Sequence, residues 1–391
     1  MNRSVILSAK RTPIGRFFGG LSRVKSPQLG AWAVEAALEA APGSTASVDE
    51  CIMGCVLQAG LGQNPARQAG LKAGLPSTLS AQTVNKVCGS GLQAVMLADQ
   101  SIRAGDNHLV VAGGFENMTA SPHFAHVRSG VKFGDTSMQD HMAFDGLTCA
   151  FEEWGMGFAA EHIAAKHGIS REELDRYSAQ SHQRAAAATE AGWFKDEIVP
   201  LEASQIRQKA DVVSDEGIRA DTTADGLAKL RPSFTKDGVV TAGNASQISD
   251  GAAALVIASE EKAAELGCSP LATIVASGTA GVDPKEIFDA PAKGIRALLD
   301  SQGLGVDDID LFEVNEAFAA QVLANIGELG ISEDKLNVCG GGMALGHPIG
   351  ASGARVLTTL VHQMQRTDAK RGVVSLCLGG GNAVSMLIER S

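Results

Sequence analysis

The order of apolar and polar residues along the chain predicts alternating strands and helices. The run "SVILSAK" (4–10) is short and apolar and ends at the turn-forming residues "RTPIG". The next segment, "PQLGAWAVEAALEAA" (27–41), carries apolar residues at helical spacing. The alternation continues to "HLVVAGGFEN" (108–117), where we expect a strand that ends at Gly113 and Gly114. This pattern predicts an α/β fold of right-handed strand–helix–strand units around a mostly parallel sheet.

The second half of the chain repeats the first. The segment "SVDECIMGCVLQ" (47–58) resembles "GVDDIDLFEVNE" (305–316) at an offset of 258, and Cys88 corresponds to His347 at an offset of 259. Each of these two residues precedes small residues, an apolar helical pattern and a strand that ends in glycines. Two such matches in the same order indicate an internal duplication.

The segment between the two halves has a more polar composition and contains two of the three tryptophans. We interpret residues 121–247 as a large inserted loop domain, or cap domain. The N-terminal core half then comprises 1–120 plus 248–268, and the C-terminal core half comprises 269–391. Within the insertion, the charged segment 171–193 predicts a helix surrounded by solvent.

Composition and charge exclude several classes of function. The chain has 391 residues, 45 of them glycine, and only 4% are aromatic, which suits closely packed α/β layers. A formal net charge of −11 argues against a general nucleic-acid or anionic-membrane binder. The first residues contain too short an apolar run for a signal peptide, and no apolar run is long enough to span a bilayer. We therefore expect a cytoplasmic protein.

The seven cysteines form no disulfide framework. Their number is odd, and the close pair in "CIMGC" (51–55) has no second close pair with which to complete a zinc site. We therefore expect no metal and free, reduced thiols.

Cys88 stands directly before a glycine-rich turn in "NKVCGSGLQAV" (85–95), at the start of a predicted helix. Unsatisfied N–H groups and the helix dipole at that position favour a thiolate, which is the reactive form of a nucleophile. The alternative is a small buried structural cysteine. A dinucleotide-binding interpretation of "GSGLQA" is disfavoured, because the preceding "SAQTVNKVC" is too polar for the clean apolar strand that such a site needs.

Three further residues are candidates for chemistry. His347, in "GGGMALGHPIGASGAR", lies in a rigid segment of small residues and suits a general base, although a satisfied core histidine is the alternative. Cys377 ends an apolar strand before three glycines whose N–H groups suit an oxyanion, or it simply packs there. Asn315 follows a strand and either donates to a developing negative charge or caps the next helix.

The motifs "NKVCGSGLQAV", "NEAFA", "GHPIGASGAR" and "CLGGGNA", in this order, resemble those of the thiolase family, in particular its acetyl-CoA acetyltransferase type. The similarity extends over nearly the whole chain, from "RTPIGRFFG" to the end. It implies a five-layered αβαβα fold of two duplicated halves with an inserted loop domain. It also implies a homo-oligomer, either a dimer or a tetramer.

The resemblance assigns roles to the matching residues. Cys88 would be the nucleophile that takes the acyl group, and His347 would activate it. Cys377 would exchange a proton with the α-carbon of the second substrate. Asn315, through a water, and His347 would form one oxyanion hole, while the backbone N–H groups of Cys88 and Gly379 would form the other. The implied reaction condenses two acetyl-CoA molecules to acetoacetyl-CoA, or reverses this by thiolysis; the alternative is a thiolase for longer 3-ketoacyl-CoA.

Coenzyme A would lie across the inserted loop domain as a substrate, with no permanently bound cofactor. By motif match, its predicted contacts are Leu147, Met156, Arg219, Phe234, Ala242, Ser246, Ala317 and Phe318. The chain departs from the usual family pattern at Gly155, Phe288, Asp289 and Cys339, none of which is among the predicted catalytic residues. Phe288 replaces part of a glycine-rich turn beside the acyl pocket.

Other interpretations remain in view. A non-catalytic acyl-CoA binder would be expected to lack one of the two catalytic cysteines or the histidine. A decarboxylating ketoacyl synthase would carry a second histidine where this chain has Cys377. If Cys88 and Cys377 meet at one acyl carbon, mild oxidation by peroxide would join them in a disulfide and silence the enzyme.

Overall fold

The protein is described by a computed structural model that covers residues 3–390 and combines a large mixed sheet with helices. The strands are β1 (Ser4–Arg11), β2 (Gly15–Arg16), β3 (Glu50–Gly54), β4 (Ser80–Val84), β5 (Leu109–Asn117), β6 (His123–Phe124), β7 (Gln139–Asp140), β8 (Ser249–Ser259), β9 (Ala272–Gly281), β10 (Leu311–Val314), β11 (Arg371–Leu378) and β12 (Asn382–Arg390). The helices are α1 (Ser26–Glu39), α2 (Pro65–Lys72), α3 (Ser90–Ala104), α4 (Met156–His167), α5 (Arg171–Glu190), α6 (Ala203–Ile206), α7 (Ala224–Leu227), α8 (Glu260–Leu266), α9 (Ala290–Gln302), α10 (Ala319–Leu329) and α11 (Ser352–Thr367). Short 3-10 segments lie at Thr45–Ser47, Pro284–Asp289, Val306–Asp308 and Glu333–Lys335, and a π-helical turn lies at Met142–Leu147.

The order of strands in the sheet shows the duplication. The sequence β10-β11-β12-β9-β1-β8-β5-β3-β4 is symmetric about the contact between β9 and β1, apart from the extra edge strand β4. From that seam outwards, each half has two antiparallel pairings and then a parallel one. At the seam itself, only residues 4–6 pair with residues 272–274.

The prediction of a mostly parallel sheet is wrong. Only three pairings in the large sheet are parallel, namely β10 with β11, β3 with β4 and β3 with β5. In the C-terminal half, β12 follows β11 directly through a turn in which Gly380 and Gly381 have φ of +88° and +82°. Strands joined by such a tight turn must be antiparallel, because a parallel pair needs a long crossover.

The helices complete five layers, as the thiolase resemblance implies. Helices α3 and α11 contact each other between the two halves of the sheet, and their apolar residues form one core with the inner strand faces. Helices α1 and α2 pack in a second core on the outer side of the N-terminal half. Helices α9 and α10 belong to a third core on the outer side of the C-terminal half.

Two local predictions for the N-terminal half are wrong. Strand β5 does not end at its glycines but continues to Asn117, and there a Cβ on Gly113 or Gly114 would collide with the backbone of Ala253 or Gly350. These glycines therefore allow close packing rather than a turn. The polar stretch before Cys88 does contain a strand, β4, because an edge strand with half-exposed residues tolerates polar side chains.

The inserted segment contains α4 to α7 and the small β6–β7 hairpin. Helix α5 is not surrounded by solvent as predicted, since one of its faces, including Leu174, Tyr177 and Ser181, is fully buried. The proposed domain boundaries stay a prediction. Among the described residues, no helix has the length and apolarity needed to cross a bilayer.

Candidate active site

One cavity of about 560 Å³ collects most of the candidate residues. Cys88, His347, Cys377 and Gly379 all line it, although they come from widely separated parts of the chain. Residues of the inserted segment close another side. The volume lies within the range of about 300–1,000 Å³ that is usual for small-molecule sites.

A strained turn presents the Cys88 thiol. Val87 has φ of +47°, a left-handed conformation that is costly for a β-branched residue and typical of functional sites. The turn is closed by Ser90, whose Oγ accepts from Lys86 N–H at 2.8 Å and donates to Val87 O at 2.6 Å. Cys88 therefore stands two residues before the first residue of α3, as predicted, in a geometry that the sequence did not reveal.

Burial opposes the thiolate that the position at the start of α3 favours. Burial raises the pKa of the Cys88 thiol to about 12, which outweighs the N–H groups of Cys88 and Gly379 that hydrogen-bond the sulfur and lower its pKa. The thiol is therefore neutral at physiological pH and needs a base. Both N–H groups act on the Cys88 sulfur, and their assignment as an oxyanion hole stays a prediction.

His347 is held in one orientation by its neighbours. It follows Gly346, whose φ is +110°, and its backbone N–H is within hydrogen-bonding distance of Gln247 O and Ser249 Oγ, at 3.1 and 3.2 Å. Ser352 Oγ donates its single proton to the carbonyl of Pro348 at 2.9 Å and lies 2.5 Å from His347 Nδ1. With the hydroxyl proton of Ser352 on the Pro348 carbonyl, Nδ1 is the donor to Ser352 and the lone pair lies on Nε2.

The His347 ring is neutral as well as oriented. Burial, with a smaller contribution from the positive charge of Arg355, lowers the pKa of His347 to about 3. A neutral imidazole with a free lone pair is what a general base for Cys88 requires.

Asn315 lies beside His347 and does not cap a helix. Helix α10 begins at Ala319 with Phe318 as its N-cap, so the capping alternative is wrong. Asn315 Nδ2 lies 3.5 Å from both ring nitrogens of His347, and its backbone N–H donates to Ser375 O at 3.0 Å. Within residues 3–390, its buried Oδ1 has no hydrogen-bond partner. Asn315 itself is 1% exposed and is not among the residues that line the cavity.

Cys377 lies near the end of β11 and is 2% exposed. Burial and the closeness of the Cys88 sulfur raise the pKa of its thiol well above the usual value. The turn that follows places Gly379 and Gly380 on the same cavity wall. The structure thus brings both predicted reactive thiols into one enclosed space.

Six of the eight predicted coenzyme A contacts line this cavity, namely Leu147, Met156, Phe234, Ser246, Ala317 and Phe318. Arg219 and Ala242 are exposed and lie outside its lining. All eight assignments stay predictions. Among residues 3–390, no group of three or more His, Cys, Asp or Glu is placed to hold a metal ion.

The residues that depart from the family pattern fall in three places. Gly155 and Phe288 line the cavity. Asp289 lies behind Phe288 and pairs with Lys166, at 2.7 Å. Cys339 is fully buried in a small apolar cluster away from the cavity, where packing accounts for it.

Two buried carboxylates that fix the loops of the site were not predicted from the sequence. Glu116 accepts from the backbone N–H groups of Val56, Leu57 and Gly350, and so holds the segment that follows His347. Its own pKa is raised to about 7, because burial outweighs these hydrogen bonds. Glu116 stands in the quoted stretch "GGFEN", and a charged residue among apolar strand residues was the available signal.

Glu316 has the corresponding role in the other half. Its carboxylate accepts from Ser181 Oγ at 2.7 Å, from Tyr177 OH at 3.1 Å and from Met343 N–H at 3.2 Å. These contacts join α5 of the inserted segment to the loop that carries Asn315. No pattern in the sequence connected α5 to the site. A third cavity-lining thiol, Cys149, was also missed.

Comparison with known proteins gives consistent matches over the whole chain. The family model for the N-terminal domain of thiolase matches residues 4–261, and that for the C-terminal domain matches residues 268–390. An acetyl-CoA acetyltransferase of Chromobacterium violaceum is 53% identical over 98% of this chain and 99% of its own. An enzyme of the same name from Cupriavidus necator is 50% identical over 100% of both chains.

A solved structure agrees with these matches. The crystal structure of the Bacillus anthracis acetyl-CoA acetyltransferase superimposes with a TM-score of 0.96 at 42% identity, covering 100% of this chain and 99% of that one. Both family models match, the fold has the five expected layers, and one cavity unites residues of the motifs. The chain therefore belongs to the thiolase family.

Proposed function

We propose that this protein is an acetyl-CoA acetyltransferase. It condenses two acetyl-CoA molecules to acetoacetyl-CoA and free CoA, and it catalyses the reverse thiolysis, through an acetyl thioester on Cys88. The observation that carries the proposal is the single cavity in which Cys88, Cys377 and a neutral, oriented His347 meet. The full-length relatives that bear this name support the acetyl-specific reaction over the alternative of longer 3-ketoacyl-CoA substrates.

In the first half-reaction, His347 Nε2 takes the proton of the Cys88 thiol as the sulfur attacks the thioester carbonyl. The carbon–sulfur bond to CoA breaks, and the departing CoA thiolate takes the proton from His347. The products are acetyl-Cys88 and free CoA. A neutral base is essential here, because burial keeps the attacking thiol protonated until the reaction begins.

In the second half-reaction, the Cys377 thiol passes its proton to neutral His347, and the thiolate so formed removes a proton from the methyl carbon of a second acetyl-CoA. The resulting carbanion attacks the acetyl carbonyl on Cys88, and the bond to Cys88 Sγ breaks. The departing Cys88 thiolate takes the proton from His347 and Cys377 keeps the methyl proton, which restores the starting enzyme. The enolate oxygen would be held by His347 and by a water on Asn315, and the tetrahedral intermediate by the N–H groups of Cys88 and Gly379.

We place CoA along the cavity wall formed by the inserted segment, as a substrate and not as a permanently bound cofactor. The apolar contacts Leu147, Met156 and Phe234 suit the pantetheine arm, and Ser246 offers it a hydroxyl. We also propose a cytoplasmic enzyme of lipid metabolism that assembles as a homotetramer. An exposed apolar stretch in the inserted segment supports this assembly.

The proposal is tested by incubating the protein with acetyl-CoA and measuring the mass of the peptide that contains Cys88. We expect an added acetyl group, and thiolysis of acetoacetyl-CoA when CoA is supplied. Cys88→Ala should remove the label and lower turnover by at least about 10³-fold. The matched control is Cys268→Ala, since Cys268 lies outside the cavity and should leave both signals intact. Unlabelled Cys88 in the active, folded wild type would refute the proposal.

A further inference from the structure

A second pocket, separate from the catalytic cavity, lies on the outer side of the N-terminal half. Its volume is about 470 Å³, which suits a small molecule. Three parts of the chain form it, namely the loop into α1 with the first turns of that helix, α2 with the loop before it, and the end of α6. The pocket shares no lining residue with the cavity that contains Cys88, so its ligand need not take part in the reaction.

The rim of this pocket is positively charged. Its four cationic side chains are all exposed, and no Asp or Glu of the described chain lines the pocket; the four are Arg23, Lys25, Lys72 and Arg207. Within residues 3–390, none of the four forms an ion pair with a carboxylate. In a protein with a net charge of −11, this rim is a local excess of positive charge that attracts anions.

The start of α1 adds to this positive field. Lys25 is the N-cap of the helix, and the first turn, which contains no acidic residue, borders the pocket through Pro27 and Gln28. The positive end of the helix dipole therefore lies at the pocket, where it favours negatively charged groups such as phosphate.

The floor of the pocket is apolar. Val24 and Ile206 are buried in the core that α1 and α2 share, and Trp32 and Leu61 are partly buried against that core. The indole of Trp32 gives the floor a flat surface on which an aromatic ring can stack. The pocket thus combines a site for an aromatic ring with a site for several negative charges.

Two glutamines of the lining offer neutral hydrogen-bonding groups. Gln68 donates through Nε2 to Leu61 O at 2.8 Å and to Gln63 O at 2.9 Å. Gln205 accepts through Oε1 from the Glu202 N–H at 2.9 Å. Each amide is held by one of its polar atoms, and the other atom is available to the edge of a base.

From these observations we propose that the pocket binds a nucleotide that carries several phosphates. The phosphates lie among the cations of the rim, the base stacks on Trp32, and the amides of Gln68 and Gln205 bond the edge of the base. A phosphate compound without a ring leaves the apolar floor uncovered, and an uncharged aromatic molecule leaves the cations without partners. The same chemistry occurs in free ATP and in the nucleotide end of CoA, 3′-phospho-ADP.

The test titrates ATP and 3′-phospho-ADP into the protein by calorimetry, beside inorganic triphosphate and adenosine. We expect one nucleotide or both to bind at least about tenfold more tightly than either fragment, because the phosphates and the base each add contacts. Binding of either nucleotide in this way supports the inference, and the tighter one identifies the source. The affinity should fall as salt is added, since the rim is exposed.

Lys25→Gln combined with Lys72→Gln removes two charges from the rim and should lower the nucleotide affinity at least about tenfold. The matched control is Lys293→Gln combined with Lys370→Gln, since these lysines are also exposed but lie outside the pocket. Trp32→Ala should weaken nucleotide binding about fivefold or more and leave the binding of triphosphate unchanged. Melting temperatures show that each variant is folded, and the exposed lysines should leave this value as in the wild type.

Three outcomes would overturn the inference. The first is that neither nucleotide binds at millimolar concentration. The second is equal affinity in the two double-lysine variants, which would place the nucleotide elsewhere, for example where the substrate CoA binds. The third is triphosphate that binds as tightly as the nucleotides, which would show a general attraction of anions. The proposed function is read out separately, since the variant at Lys25 and Lys72 should keep the wild-type kcat/KM for acetoacetyl-CoA.

Discussion

At the scale of single residues, Cys88 and His347 both begin the reaction uncharged. Burial raises the pKa of the thiol to about 12 and lowers that of the imidazole to about 3, so the proton rests on sulfur over the whole physiological range. A charged pair at rest would have to be desolvated, whereas a neutral pair is compatible with an apolar cavity. The thiolate therefore forms only at the moment of attack. The backbone N–H groups of Cys88 and Gly379 are then in place to stabilise the negative charge.

This view predicts the pH dependence of Cys88 alkylation. Iodoacetamide reacts with the thiolate, so below the pKa the rate rises about tenfold per pH unit, and with a raised pKa it should still be rising at about pH 10. In the protein unfolded by urea, the rate should level off near the ordinary cysteine pKa of about 8.5. The rate is measured by mass spectrometry of the Cys88 peptide. A plateau below pH 8 in the folded protein would instead support the stabilised thiolate that the helix position suggests.

A second prediction at this scale concerns Ser352, a positioning residue for His347. In Ser352→Ala, Nδ1 loses its acceptor and the proton distributes between both ring nitrogens, so the rate of Cys88 acetylation should fall roughly 10- to 100-fold. The rate is measured under single-turnover conditions together with the melting temperature. Ser352→Thr retains the hydroxyl and should restore most of the rate. Full activity in a folded Ser352→Ala protein would show that the tautomer is set elsewhere.

At the scale of elements, Cys88, Asn315 and His347 lie on connections that lead into helices, whereas Cys377 lies in β11, and buried carboxylates hold two of these connections. The loop before α11 is bound through Gly350 to Glu116 at the end of β5. The loop after β10 is bound through Glu316 to α5. In both halves a buried carboxylate holds a loop of the site, although the groups that the carboxylate contacts differ. Rigid connections of this kind keep catalytic groups in place without help from the substrate.

The connection that carries His347 should be sensitive to substitution at Gly346. Its φ of +110° and the nearby Ser249 side chain leave no room for a Cβ, so Gly346→Ala should lower the free energy of unfolding by about 1–3 kcal/mol and displace His347. Urea unfolding and kcat are the measurements.

Gly330→Ala is the matched control for this prediction. Gly330 also has a positive φ, of +72°, but a Cβ there meets no atom within 4 Å. The control should therefore show only the smaller cost of the left-handed backbone and leave kcat unchanged. Equal effects of the two substitutions on stability and kcat would contradict the argument.

At the scale of the whole molecule, the site forms because two duplicated halves pack through α3 and α11. Cys88 precedes the first of these helices and His347 the second, so their contact brings the two helix starts towards one cavity. The inserted segment covers this cavity.

The inserted segment also exposes an apolar stretch, in which Val127 is 52%, Val131 48%, Phe133 100% and Met138 63% exposed. Exposed apolar groups of this kind typically mark an interface.

We therefore expect Phe133 to contribute to assembly. Phe133→Ser should convert a tetramer into dimers, because a fully exposed ring is otherwise unfavourable in water. Light scattering after size-exclusion chromatography measures the mass. Val213→Ser is the control, since Val213 is 58% exposed in a different part of the chain and should leave the mass unchanged. A wild type that is already a dimer at micromolar concentration would contradict the expectation.

The sequence alone determined the α/β class and the duplication, and it named Cys88, His347 and Cys377, which the structure brings to one cavity. The class and these three candidates are visible in short windows, as apolar spacing and as glycines near each residue. What depends on neighbours far along the chain was decided only by the tertiary structure. The protonation of Cys88 follows from burial, the tautomer of His347 from Ser352 and Pro348, and the strand directions from which elements pair. The position of the 3-10 turn that carries Phe288 belongs to the same group, since α4 and α10 reach this turn only in the folded molecule.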